Sequence, residues 1–325
     1  MRSLDKIQVS GYKSIKKMEL ELGRLNVLIG ANGAGKSNFI GLFKLLNNIV
    51  EKHLQVYVGE SGGSNALLHF GRKTTNAIHL DLSFADHTNG YSCILNPTSD
   101  DRLIFKDETC WFHVKEQFPT PKDIFLGGGH TETILERPPN ERDKYICRYV
   151  LTDIKSWKIY HFHDTSDTAG VKQTCDLDDN GILRSDAANL AAFLFRLKTR
   201  SQTHYQNIVD AVRLMAPFFD DFVLEPSRLN PEKIKLEWKE KGSDDYFNAG
   251  ALSDGTLRFM CLATLLLQPH FPTVILLDEP ELGLHPYAIT ILAELLRGGF
   301  RIVVNFLWRI EFGYNRLQFS FLSGL

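Results

Sequence analysis

The stretch RLNVLIGANGAGKSNFIGLF, residues 24–43, decides how the rest of this chain is read. RLNVLIG is a short apolar run of the buried-strand type, and SNFIGLFKLLNNIV places Phe39, Ile40, Phe43, Leu46, Ile49 and Val50 at helical spacing. Between them GANGAGKS, residues 30–37, fits G-x-x-x-x-G-K-[ST]. Glycine makes up ~7% of ordinary chains, so a chance match here is roughly a one-in-a-hundred event, and the flanking strand and helix reduce it further. Glycines let the backbone wrap a phosphate with N–H groups, and the helix start adds the positive end of its dipole. This pattern predicts that Asn32, Gly33, Ala34, Gly35, Lys36, Ser37 and Asn38 surround a nucleotide's phosphates. Lys36 would reach the β- and γ-phosphates, and Ser37 would ligate Mg²⁺.

Upstream, KIQVSG and KMELEL alternate as two strands. Downstream, AIHLDLSF, the turn DHTNG and YSCIL predict a hairpin, RLIF and TCWFHV a further pair of strands, and KSWKIYHF another. PTPKDIFLGGGHTETILERPPNE, residues 119–141, reads as a mobile loop. Leu190, Phe193, Leu194 and Leu197 form one helical stripe; Ile208, Val209, Val212 and Met215 form a second. KIKLEW reads as a strand and TLRFMCLATLLLQ as a helix.

VILLDEP, residues 274–280, supplies a second chemical signal. Four apolar residues form a buried strand, and Asp278 stands where it emerges. A carboxylate there can hold Mg²⁺ through its water shell, and Glu279 is placed to orient and deprotonate an attacking water. A third signal is ALSDGT, residues 251–256, a polar turn opening an apolar helix. It is either an anion site or an ordinary cap made by Ser253 or Asp254.

GANGAGKS, ALSDGT and VILLDEPELGLHP, in that order, resemble the ABC-type ATPase core of RecF-like and structural-maintenance-of-chromosomes (SMC) proteins. GYKSIKKMELELGRLNVLIGANGAGKSN looks like the opening of a small RecF-like bacterial ATPase group that includes abortive-infection-type and OLD-like defence ATPases. The resemblance covers about half the chain. It implies an α/β P-loop NTPase, an ABC-type ATPase head, with an inserted antiparallel β plus helical lobe. The head would comprise residues 1–74 and 232–325, and the lobe 75–231. It implies ATP and Mg²⁺ as cofactors, Lys36 and Glu279 as catalytic residues, and Ser37 and Asp278 as metal ligands. Two copies would pair head to tail, with Ser253, Asp254 and Gly255 of one touching the ATP held by the other. Lys13 and Ser14 match positions that approach the phosphates in this family. The resemblance allows DNA, or an effector nuclease or toxin, as further partners in DNA repair or phage defence. No Asn-Lys-x-Asp guanine pattern is present, which favours ATP over GTP.

The chain departs from the family at one end. After the Asp-Glu pair, the next strand candidate is RIVVNF, with no switch histidine at its end. The aromatic-rich segment after it reads as a truncated or frame-shifted terminus. Slow turnover follows as an expectation, with a nucleotide-gated scaffold that recruits an effector as the alternative to an enzyme. The lobe-linking glutamine of the family is unassigned between Gln117 and Gln173. LSDGT, in place of a glutamine-ending signature, argues against a transporter subunit.

The remaining features are bland. With 325 residues, 43% hydrophobic and 23% charged, and a net charge of −2, the composition makes no case for a polycation. The longest largely apolar run, residues 259–267, is far below the ~18 residues of a bilayer span. Five cysteines without a CxxC pair suit reduced thiols in a cytoplasm. DLDDNG reads as a tight turn rather than a calcium loop, since Ala187 stands where a bidentate Glu is wanted. HFHD puts His161 and His163 on one strand face with no third ligand in view. Arg196, Lys198 and Arg200 on a helix end, and Arg72 and Lys73 after a glycine, read as solvated faces, with contact to a nucleic-acid backbone as the alternative.

Overall fold

The computed structural model describes residues 4–30, 33–114, 119–298, 302–306 and 319–321, the last two segments as backbone strands. The described chain divides into two compact units.

The first unit holds residues 1–159, 272–276 and 301–325. It begins with β1 (Leu4–Tyr12), β2 (Ile15–Glu21), β3 (Leu25–Ile29) and α1 (Lys36–Val50), followed by the short helices α2 (Leu54–Glu60) and α3 (Ser64–Leu67). Then come β4 (Ile78–Phe84), β5 (Asn89–Pro97), β6 (Leu103–Phe112), β7 (Lys122–Gly127), α4 (Lys144–Lys155) and β8 (Lys158–Tyr160). Among the described residues, six strands form an antiparallel sheet in the order β2-β1-β4-β5-β6-β7. The strands read after residue 75 therefore extend the sheet that β1 and β2 begin. α1 buries Phe39, Ile40, Leu42, Phe43, Leu45, Leu46, Ile49 and Val50, more than one helical stripe, as a helix enclosed within a core must. Phe43 packs edge-on against Phe39 and tilted against Trp157, with ring centroids 5.3 and 5.2 Å apart. Val274 and Leu276 join the same core.

The second unit holds residues 160–271 and 277–300. It contains β9 (Cys175–Asp176), α5 (Leu190–Arg200), α6 (Gln202–Met215), β10 (Phe219–Val223), β11 (Lys233–Ile234), β12 (Glu237–Glu240), β13 (Tyr246–Asn248) and α7 (Asp254–Leu267). The chain passes between the units along β14 (Ile275–Asp278), and α8 (Pro286–Leu296) returns to the second. α7 touches both α6 and α8 and is buried along most of its length, which its nearly unbroken apolar sequence requires. The final strands, β15 (Ile302–Phe306) and β16 (Phe319–Phe321), lie on either side of β3, both parallel to it. The sheet they share runs β16-β3-β15-β14-β8.

Three sequence expectations need correction. RLIF and TCWFHV are one strand, β6, because the intervening Lys-Asp-Glu is not a turn. Glu108 faces inward with its side chain fully buried, and the fold satisfies it instead of expelling it. Tyr91 Oη donates at 2.8 Å, Ile134 N–H at 3.2 Å, and Thr133 Oγ1 donates as well; His130 Nε2 lies 2.9 Å away. The glycine-rich stretch at 119–141 is not wholly loop, since residues 122–127 pair with β6 as β7. KIKLEW is split into β11 and β12, which enter different sheets. α4 went unread although Cys147, Val150 and Ile154 sit at helical spacing. The truncated-terminus reading falls largely outside the described residues.

Removing the Glu108 carboxylate strands three or four buried partners at once. Glu108→Ala should cost roughly 3 kcal/mol in urea unfolding of the nucleotide-free protein.

Candidate functional site

In the first unit, β3 delivers the chain from a buried strand into the glycine loop. Gly33 and Gly35 have φ of 83° and 86°, the left-handed region that side chains resist. Gly35 is the residue that enters α1, and no side chain caps that helix. No acidic residue occupies its first turn. The first helical bond runs from Phe39 N–H to the Gly35 carbonyl at 3.0 Å. The preceding backbone N–H groups, with the helix dipole behind them, are donors of the kind an anion can satisfy. Among the described residues, a Cβ on Gly33 would meet nothing within 4 Å. Lys36 is only 5% exposed, and its ammonium donates to the Gly30 carbonyl. The Ser37 side chain is exposed. Asn32 lies outside the described residues.

Lys13 and Ser14 reach α1 differently. Asn38 Nδ2 donates to Ser14 Oγ at 2.7 Å, tying that hydroxyl to the first turn. Lys13 adopts a left-handed φ of 46°, with its N–H held by the Leu67 carbonyl at 2.8 Å. Its ammonium sits 3.9 Å from where a Cβ on Gly41 would lie, beside the second turn. Burial, and then the neighbouring Lys44 charge, lower its pKa from the usual lysine value, which an arriving anion would relieve.

In the second unit, β14 ends at Asp278, whose side chain is 21% exposed. Glu279 follows with φ 46°, strained for a residue with a Cβ, and strain of this kind clusters at functional sites. The Glu279 carbonyl accepts from Leu282 N–H at 3.1 Å and the Glu281 carbonyl from Leu284 N–H at 3.0 Å, so two turns follow the strand at once. Ser253 caps α7: its Oγ accepts from Thr256 N–H at 3.2 Å and lies 2.8 Å from Thr256 Oγ1. Asp254 opens the helix itself. A Cβ on Gly255 would meet the Gly283 carbonyl oxygen at 2.5 Å, so the turn at 253–256 and the loop after Glu279 touch through backbone. Arg258 staples this contact, donating to the Leu282 carbonyl at 2.8 Å and to the His163 carbonyl at 2.7 Å.

Sequence reasoning missed one gathering of side chains. His161 Nδ1 lies 3.8 Å from Asp278 Oδ2, and a ligand atom of His163 completes a trio within 4.8 Å of one another. Asp278, more than a hundred positions away, thus stands where it could serve as a third ligand to HFHD. The signal was the alternation of HFH; what sequence could not show was that β8 neighbours β14 in the sheet. Gln173 is engaged elsewhere, donating to the Asp167 carbonyl at 2.7 Å, and Gln117 is outside the described residues. Of the basic residues Arg72, Lys73, Arg196, Lys198 and Arg200, three are engaged within the protein. Arg196 donates to the Asn180 and Gly181 carbonyls, Lys198 pairs with Asp221 at 3.1 Å, and Arg72 pairs with Asp101 at 3.7 Å. DLDDNG is a turn, with Asp179 N–H donating to the Asp176 carbonyl at 3.1 Å. No described helix is long and apolar enough to cross a membrane.

With this geometry in hand, comparison with known proteins is informative. A family model described as "AAA domain, putative AbiEii toxin, Type IV TA system" matches residues 25–301. No curated protein matches the chain. Among solved structures, an SMC head bound to the C-winged helix domain of ScpA is similar at a TM-score of 0.57 and 17% identity. That match covers 94% of this chain and 90% of that one. The SMC head domain from Thermotoga maritima is similar at a TM-score of 0.42 and 14% identity, over 94% and 89% of the two chains. The fold is that of an α/β P-loop ATPase head, with antiparallel and helical elements added.

Gly255→Ala drives a methyl into a backbone oxygen and should cost about 1–3 kcal/mol in urea unfolding. Ser253→Ala removes only the cap and should cost about 1 kcal/mol, with Ser253→Gly costing a few tenths.

Proposed function

We propose that this chain, which belongs to the AAA-domain family matched over residues 25–301, binds ATP with Mg²⁺ and hydrolyses it as two copies pair head to tail. The observation that carries this reading is the start of α1, where left-handed glycines and the absence of a side-chain cap leave backbone donors for an anion. Lys36, buried and held by the Gly30 carbonyl, is aligned along the loop and would exchange that carbonyl for a phosphate oxygen. Asn32 to Asn38, with Ser14 tied to Asn38, make up the rest of the phosphate site. Ser37 and Asp278 offer a hydroxyl and a carboxylate, hard oxygen donors of the kind Mg²⁺ takes while keeping several waters. A bound Mg²⁺ would neutralise phosphate charge as the terminal P–O bond breaks.

Glu279 is the base of this scheme. Its carboxylate orients a water and accepts its proton as the water oxygen attacks the γ-phosphorus, with ADP leaving. The left-handed backbone at Glu279 fixes where that carboxylate begins. Ser253, Asp254 and Gly255 would meet the triphosphate held by a second copy. The Ser253 hydroxyl spends one bond as an N-cap, yet a hydroxyl has further donor and acceptor capacity for a phosphate oxygen. Likeness to abortive-infection-type ATPases supports a role in phage defence or DNA repair, with DNA or an effector nuclease or toxin as partner.

A second reading has its own support. The sequence carries no histidine after His285, so the strand after β14 offers no imidazole of the kind that senses a γ-phosphate in this family. A head lacking that sensor would turn over slowly and act as a nucleotide-gated scaffold.

Steady-state turnover separates the two. Glu279→Gln should lower kcat by at least about 100-fold while leaving ATP binding intact. Lys36→Ala should abolish ATP binding in the same preparation. If the wild type is already as slow as Glu279→Gln, the hydrolase reading fails and the scaffold stands.

A further inference from the structure

We propose that His161, His163 and Asp278 form a site for a late first-row divalent ion of the Zn²⁺ class, which the chain binds without nucleotide. The trio is built within the second unit alone, and its ligand atoms all lie within 4.8 Å of one another. A tetrahedral ion with ligands at ordinary Zn–N and Zn–O lengths needs donor atoms about 3.4 Å apart. The His161–Asp278 separation of 3.8 Å is within a small side-chain adjustment of that spacing.

The backbone carrying the histidines is fixed before any ion arrives. His161 N–H donates to the Ser185 carbonyl at 2.9 Å. The His163 carbonyl accepts from Arg258, the same guanidinium that grips the Leu282 carbonyl beyond Glu279. Between them Phe162 is buried, while His161 and His163 are half-buried with their ring centroids 6.2 Å apart. Arg258 and Glu279 line a small cleft together with His163 and Asp278, two of the three ligands.

The donor set chooses the ion. Two imidazoles and one carboxylate are a borderline-soft combination that favours Zn²⁺, Co²⁺ or Ni²⁺, whereas Mg²⁺ takes oxygen and gains little from imidazole. The proposed Mg²⁺ role of Asp278 in nucleotide binding, on which this consequence rests, then competes with the new site for one carboxylate. An ion held by the histidines withdraws Asp278 from the nucleotide and acts as a brake on the ATPase.

The test is a Co²⁺ titration of the nucleotide-free full chain, followed by visible d–d absorption, with Zn²⁺ as competitor. The expected result is a four-coordinate spectrum at one equivalent, displaced by Zn²⁺ and indifferent to excess Mg²⁺. His161→Ala and His163→Ala should each weaken Co²⁺ binding at least about 10-fold. His163→Cys should restore it with a new thiolate-to-cobalt charge-transfer band, which separates ligand loss from misfolding. Lys36→Ala should leave the cobalt spectrum unchanged, so failure of the ATPase reading and failure of this one are distinguishable. A wild type without inner-sphere absorption, or histidine variants of unaltered affinity, would reduce the trio to an ordinary His–Asp ion pair and overturn the proposal.

Discussion

An α-helix that starts without a side-chain cap must find partners for its first N–H groups, and α1 starts in that way behind two left-handed glycines. The rest of the first unit holds that helix start in place. β3 feeds it between two parallel strands, and its apolar residues lock into the core through Phe39, Phe43 and Trp157. Ser14 fastens the β1–β2 turn to its first turn through Asn38. A frame built around uncapped donors costs stability unless an anion satisfies them, the role proposed for a triphosphate.

The second unit applies a related economy at another helix start. Ser253 caps α7 with its own hydroxyl, while Gly255 lets the turn approach the Gly283 carbonyl. Arg258 then joins three segments: α7, the loop after Glu279, and the backbone of His163. One arginine thereby ties together the helix opened by the Ser253 turn, the loop after Glu279, and the segment that carries the histidines.

Much of this was legible in sequence because it is local. GANGAGKS between an apolar run and a helical stripe specified β3, loop and α1; AIHLDLSF, a turn and YSCIL specified the β4–β5 hairpin; two apolar stripes specified α5 and α6. What escaped was decided by neighbours far along the chain. The Lys-Asp-Glu in β6 looks like a break until Tyr91, His130 and Thr133 are seen to satisfy Glu108. β7 hides in glycine-rich sequence because β6 supplies its pairing. His161 and His163 look unremarkable until the sheet places β8 beside β14 and gives them Asp278.

The central claim is that one copy's Ser253 turn closes over the triphosphate gripped at another's α1. Sedimentation velocity of Glu279→Gln, with and without saturating ATP and Mg²⁺, measures it most directly. The account predicts a monomer without nucleotide and a dimer with ATP, lost again when Ser253→Arg is added. A sample shown to hold ATP that nevertheless sediments only as a monomer would contradict it.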